Sequence, residues 1–292
     1  MFEGFKHIDV PCAGARIHAR VGGAGPPLLL LHGHPQSHVM WHRVVDTLAQ
    51  RFTVVAADLR GYGDSERVAA DAAHANYSKR AMALDMLQLM TALGHPRFAV
   101  CAHDRGARVT HRLLLDHPQA VSRAMLLDIA PTLAMYEQTN EAFARAYWHW
   151  FFLIQPAPLP ERLIDADPKA YLRDLMGARH GGLAIFAPEA WAEYERCINQ
   201  PGSATAMCED YRAAASIDLE HDRADRAAGR RVEMPLHVLW GSKGVIARCF
   251  GPLALWQAAA LNVSGRAVDS GHYIAEEAPQ ALLADIDLFF KE

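Results

Sequence analysis

Short apolar runs punctuate the first half of the chain, at Pro27–Gly33, Phe52–Asp58, Phe98–Ala102 and Ala124–Asp128. Near-continuous apolar runs of this length predict parallel strands covered on both faces. Between them, over Ser78–Leu93 and Gly106–Leu115, the apolar positions recur with helical spacing. That alternation predicts right-handed βαβ units and an open, mostly parallel sheet with helices on both faces. From Pro131 the pattern changes. Residues 131–230 read as helical, rich in Trp, Tyr, Phe and Ala, and broken by Pro156, Pro158, Pro160, Pro168, Pro188 and Pro201. Strand signals return at Leu236–Gly241 and Arg266–Asp269, and an amphipathic segment, Ala275–Phe290, closes the chain. The expected organisation is an α/β core, residues 1–130 and 231–292, carrying an inserted helical cap, residues 131–230. The Ala- and Arg-rich stretch Arg223–Arg231 reads as a solvated helix end.

Composition narrows the class. The 292 residues suit one large domain or two of about 150 each. With 51% hydrophobic and 21% charged residues the chain is globular rather than disordered. Its 29 basic against 33 acidic residues, net −4, argue against a nucleic-acid partner or a polybasic membrane patch. Glu3, Lys6, His7 and Asp9 are unlike a secretory leader, and the run Pro26–Leu31 is too short to cross a bilayer. Five widely spaced cysteines without a CxxC pair suit reduced thiols in a cytoplasmic enzyme. His34, His38 and His42 recur at a spacing that mimics a metal stripe, but no carboxylate joins them, so neither metal nor cofactor is expected.

The chemistry concentrates at Phe98-Ala-Val-Cys-Ala-His-Asp-Arg-Gly-Ala107, which reads as strand, tight turn and helix start. Ala102, Gly106 and Ala107 are small enough to let strand and helix approach around a central Asp104, the spacing of a nucleophile elbow. Asp104 could instead only cap the helix. Three further signals favour the elbow. The loop His32-Gly-His-Pro35 follows a buried strand, where the backbone N–H of His34 and that of Arg105 would form an oxyanion hole. His272, in Asp269-Ser-Gly-His272, is placed as general base. The loop Gly241–Ile246 carries no carboxylate, so Asp128, at an earlier strand end, would orient His272, with Asp269 the weaker candidate. Nucleophile, acid and base then fall in the chain order of the α/β-hydrolase fold.

An aspartate nucleophile changes the reaction. A carboxylate displaces a leaving group from sp³ carbon, and water then hydrolyses the resulting enzyme ester. This points to dehalogenation or epoxide opening. Arg105 and Arg108, at i+1 and i+4 from Asp104, can present guanidinium forks to a substrate carboxylate. The alternatives are helix-surface charges or a pairing with Asp104 itself.

In His103-Asp-Arg-Gly-Ala-Arg108, Leu127-Asp-Ile-Ala-Pro131, Trp148-His-Trp-Phe-Phe152 and Cys208-Glu-Asp-Tyr-Arg212, the sequence resembles the fluoroacetate dehalogenases, a haloacid-specific branch of the α/β-hydrolases. The resemblance runs over nearly the whole chain. It implies Asp104 as nucleophile, His272 as base with Asp128 behind it, and Arg105 and Arg108 on the substrate carboxylate. It also implies that His149, Trp150 and Tyr211 hold the departing halide, and that the protein is a homodimer acting on a small haloacid. Indole, imidazole and phenol donors on apolar bodies suit a dry pocket around a poor leaving group such as fluoride. Tyr147, Trp148, Phe151 and Phe152 are expected to pack cap on core. The sequence departs from the family at His34, where Phe is common. The rivals are an epoxide hydrolase, which typically uses two cap tyrosines, and a non-catalytic hydrolase-like binding protein, in which a broken triad is expected.

Overall fold

In the computed structural model, which describes residues 1–291, eight strands form one sheet. They are β1 (Lys6–Pro11), β2 (Arg16–Gly22), β3 (Pro27–Leu31), β4 (Thr53–Ala57), β5 (Phe98–His103), β6 (Val121–Leu127), β7 (Leu236–Gly241) and β8 (Val263–Val268). Their order is β1-β2-β4-β3-β5-β6-β7-β8. The pairs β1/β2 and β2/β4 are antiparallel and the rest parallel. Leu28 to Leu31 are wholly buried, as strands covered on both faces require.

The apolar-run criterion misses β1 and β2. In β1 the inward Ile8 and Val10 alternate with exposed polar residues, the signature of an edge strand with one wet face. For the same reason β8, the opposite edge, begins at Val263 rather than at Arg266. Helix Lys79–Ala92 starts where Ser78 caps it, its side chain accepting from the Ala81 amide. The closing amphipathic segment is two helices, Ile274–Glu277 and Pro279–Phe289. Pro279 has no N–H to continue the first helix and drives Ala278 out of the helical region. Between β6 and β7 every described element is a helix, from Thr132–Glu137 to Ile217–Ala227. Among the described residues no helix is long and apolar enough to cross a membrane.

Topology positions the site. Strand β3 has β4 on one side and β5 on the other, so the strand order reverses there and the loops leaving β3 and β5 diverge around a crevice. The β5/β6 register pairs His103 with Leu127, so Asp104 and Asp128 leave adjacent strands at one level.

Candidate active site

Asp104 opens helix Asp104–Asp116 directly at the end of β5, with φ +45, a left-handed conformation costly for a residue with a Cβ. The turn survives because its neighbours are small. A Cβ on Gly33 would lie 2.3 Å from that of Asp104, and one on Gly106 would lie 2.4 Å from the His32 carbonyl oxygen. The helix begins two residues before the periodic pattern of Gly106–Leu115 suggested, because the elbow itself is its first turn. The His34 amide donates to Asp104 Oδ1 at 2.9 Å. The Arg105 amide lies in the first helical turn, where N–H groups have no partner within the helix. Burial alone would raise the Asp104 carboxyl, but His272, His103, Arg108 and Arg105 outweigh it and hold the group well below the usual carboxylate range. The arginines are the contributors that persist at neutral pH, because burial pushes both histidines towards their uncharged forms.

His272 Nε2 lies 3.9 Å from Asp104 Oδ2, and its Nδ1 is 2.6 Å from Asp128 Oδ2. Asp128 is fully buried, sits at φ +50, and accepts the Gly241 amide on its other oxygen at 2.9 Å. The loop after β7 thus contributes an N–H to Asp128 rather than a carboxylate of its own. Asp269 is exposed and pairs with Lys243 at 2.7 Å. Burial and the Arg179 guanidinium push the His272 imidazole down to about 4, so it is an unprotonated base at neutral pH.

The two arginines share the site but differ in their partners. Arg105 is wholly buried and forms a two-pronged pair with Asp210, Nε to Oδ2 and Nη2 to Oδ1, both at 2.8 Å. Lys79 also pairs with Asp210, and Tyr62 donates to it at 2.7 Å. Arg105 is therefore neither a surface charge nor a partner of Asp104, and only its Nη1 is left without an acceptor. Arg108 is equally deep, yet among the described residues no carboxylate pairs with it. Its Nη1 donates to Thr132 Oγ1 at 2.9 Å and to the Ala130 carbonyl at 3.2 Å, while Nε has no partner. Burial works against its charge and Asp104 supports it.

Opposite the elbow stand the cap aromatics. The Arg108 guanidinium lies 4.7 Å over the Trp150 ring, and that of Arg105 lies 4.1 Å over Tyr211. The Tyr211 ring is 5.8 Å from His149 and 6.3 Å from Trp150. The indole Nε1 of Trp150 and Nδ1 of His149 are buried without acceptors. His34 stacks parallel to His149 at 6.0 Å and meets Tyr211 edge-on at 5.1 Å, so it lies among the halide-binding candidates. Burial pushes its imidazole down to about 3, which leaves a neutral polar ring where Phe would be apolar.

Two cap residues differ from expectation. Tyr147 reaches the site instead of only packing cap on core, its hydroxyl 3.5 Å from His272 Nδ1. Trp148 is 41% exposed, because the short helix Trp148–Phe152 turns it away from the core as it turns His149 and Trp150 inward. Asp210 and Arg179 have no role that the sequence alone indicates. Asp210 lies within the quoted motif Cys208–Arg212, and a buried partner for Arg105 was the signal to seek. Arg179 sits in a Gly-rich connection without periodicity, which offers no signal. The metal-like histidines diverge, since His38 turns to Asp58 at 3.0 Å and His42 to the Val39 carbonyl at 3.1 Å.

Residues 26–279 match the family described as alpha/beta hydrolase fold. The chain is 44% identical to a fluoroacetate dehalogenase of Burkholderia sp over 280 residues, 96% of this chain and 91% of that protein. It is 33% identical to a soluble epoxide hydrolase of Corynebacterium sp. (strain C12), over 97% of this chain and 96% of that one. An alpha/beta hydrolase structure from Nostoc sp PCC 7120 is 51% identical, covers 100% of both chains and superposes with a TM-score of 0.97.

Proposed function

The chain belongs to the α/β-hydrolase family, and we propose that this hydrolase converts short 2-haloacids, fluoroacetate among them, to the hydroxyacid and halide through an ester of Asp104. The observation that carries the reading is Arg108, a buried cation beside the nucleophile with no carboxylate partner and an idle Nε donor. An unpaired buried charge costs several kcal/mol unless something compensates it. A substrate carboxylate does so and brings its α-carbon to Asp104.

In the first step an oxygen of Asp104 attacks that carbon and the carbon–halogen bond breaks, the electron pair leaving with the halide towards Trp150, His149 and Tyr211. In the second, His272 Nε2 takes a proton from water, and the hydroxide adds to the Asp104 carboxyl carbon. The His34 and Arg105 amides receive the negative charge on Oδ1. Collapse frees the hydroxyacid and regenerates Asp104, and the imidazolium, held by Asp128, gives its proton to solvent. The sum is haloacid plus water giving hydroxyacid, halide and a proton.

Epoxide hydrolysis is the second reading, favoured by the Corynebacterium relative and by the three hydroxyls of Tyr147, Tyr171 and Tyr211 around the site. An epoxide leaves Arg108 unpaired, which weighs against it. Halide release from fluoroacetate and chloroacetate, with diol formation from styrene oxide as the control, separates the two. Haloacetate turnover is expected, and diol formation alone would overturn the proposal.

Two outcomes follow from the geometry. Trp150→Phe keeps most of the apolar volume and removes one N–H. A hydrogen bond to a charged group contributes about 1.5–3 kcal/mol, or roughly 10- to 150-fold in rate. Charge is most concentrated on departing fluoride, so kcat for fluoroacetate should fall by that factor and kcat for chloroacetate much less. Equal losses would remove Trp150 from the halide site. The second outcome concerns pH. His272 must be unprotonated, and because burial and Arg179 lower it, ester hydrolysis should persist as pH falls from 7 through the ordinary imidazole range. Single-turnover ester decay against pH checks this, and an acid limb near the ordinary imidazole value would contradict it.

A further inference from the structure

A cavity of about 130 Å³ lies between Ala146 at the end of one cap helix, the connection Ala178–His180, and the segment Lys243–Arg248, with His272 in its wall. Its rim is basic, since Arg179, His180, Lys243 and Arg248 all line it. Two of these are already engaged by carboxylates, His180 by Glu277 at 3.0 Å and Lys243 by Asp269 at 2.7 Å. Among the described residues, Arg179 and Arg248 have no carboxylate within ion-pair distance. Arg248 is exposed at the mouth. Arg179 lies deeper, its guanidinium 4.3 Å over the Tyr147 ring and its Nη1 buried without an acceptor. A guanidinium kept only for packing would ordinarily find a carbonyl or carboxylate for such a donor. The cavity thus leads from an exposed cation, past a half-buried one with an idle donor, to the base of the triad.

We propose that this cavity is the port by which the substrate anion reaches the site, with Arg179 binding its carboxylate transiently before Arg108 and Arg105 take it. The proposal rests on the haloacid reading and adds the route and the residue that guides it. Charge gives the reason for a dedicated route. The whole chain carries −4, so an anion approaching at random meets a repulsive field. A low-dielectric cleft with two surplus cations reverses that field locally and raises the encounter rate, by about 10- to 1000-fold where such steering has been measured. The effect must weaken with salt, because at 0.1 M the screening length is only about 10 Å. A port serving only the hydrolytic water would need no surplus cation.

The test uses acetate, a non-reacting carboxylate, and chloroacetate, a reacting one, on the full-length protein. Stopped-flow tryptophan fluorescence gives the acetate association rate over a range of ionic strength in the wild type, Arg179→Met, Arg179→Lys and Arg248→Met. Arg179→Met is expected to lower acetate association and chloroacetate kcat/KM about tenfold and to flatten their salt dependence. Arg179→Lys should recover most of the loss, and Arg248→Met should show a smaller fall in the same direction. A loss confined to kcat, an unaltered salt slope in Arg179→Met, or no recovery in Arg179→Lys would overturn the port and leave Arg179 as packing on Tyr147. The haloacid reading fails separately, if wild type binds acetate quickly and salt-dependently yet releases no halide from any haloacetate.

Discussion

His272→Asn should leave alkylation of Asp104 intact and stall the ester, cutting steady-state halide release by about 10²–10⁴-fold, the range a positioned general base supplies. The expectation follows from where the imidazole stands. Its Nε2, 3.9 Å from Asp104 Oδ2, lies beyond hydrogen-bond distance of that carboxylate. Asp104 needs no base to attack, because its carboxyl is held ionised far below neutral pH. Only the second step consumes a proton acceptor. Asn keeps a polar side chain near Asp128 but cannot take that proton. Intact-protein mass spectrometry after incubation with fluoroacetate should therefore show one carboxymethyl addition, absent from the wild type at steady state. A folded His272→Asn protein that stays unmodified would count against the covalent route.

Arg105→Leu and Arg108→Leu should both abolish efficient haloacetate turnover, with unequal consequences for stability. Truncating one partner of a buried charge pair costs about 2–5 kcal/mol of binding, or roughly 30- to 5000-fold in kcat/KM. In the free protein, however, Arg105 neutralises Asp210, whose carboxyl is buried with only Lys79 as its other cation. Removing Arg105 leaves that charge undercompensated, a loss of about 3–5 kcal/mol in folding stability. Arg108 makes no direct ion pair to abandon, although it helps to hold Asp104 ionised. Its replacement loses the bonds to Thr132 and Ala130 and the contact with Trp150, but also removes a buried cation, so stability should stay within about 1 kcal/mol of wild type. Thermal unfolding beside chloroacetate kinetics reads both effects. Near-wild-type kcat/KM in Arg108→Leu would remove that residue from the carboxylate site, and equal destabilisation of the two variants would contradict the division of labour drawn here.

Much of this arrangement was legible in the residue order, and the parts that were not share a physical reason. Strands buried on both faces are apolar throughout, so β3 to β7 stand out, whereas β1 and the start of β8 hide in alternating polar sequence at the sheet's edges. The elbow was readable because its geometry demands particular small residues at particular positions. Gly33 and Gly106 meet atoms of Asp104 and His32 at distances no side chain could tolerate. Asp128 was readable by elimination, since the Gly241–Ile246 loop has no acid to offer. Pairings between remote segments were not readable. Arg105 meets Asp210 across 105 positions, and Arg179 comes to Tyr147 and His272 only when the cap folds over the sheet. Tyr147 lay in a recognised aromatic cluster, but a short helix of five residues decides which aromatics turn inward, and periodicity is weak over so few positions.

The ester of Asp104 is tested most directly by a single turnover in water enriched in oxygen-18, with enzyme in excess over fluoroacetate. If water attacks the Asp104 carboxyl carbon, the heavy oxygen enters the enzyme, and the hydroxyacid of that first turnover carries only light oxygen from the original carboxylate. The peptide containing Asp104 should then be heavier by one isotopic substitution and the glycolate unlabelled. Labelled glycolate with an unlabelled Asp104 peptide would mean that water displaces the halide directly, and the covalent account would be wrong.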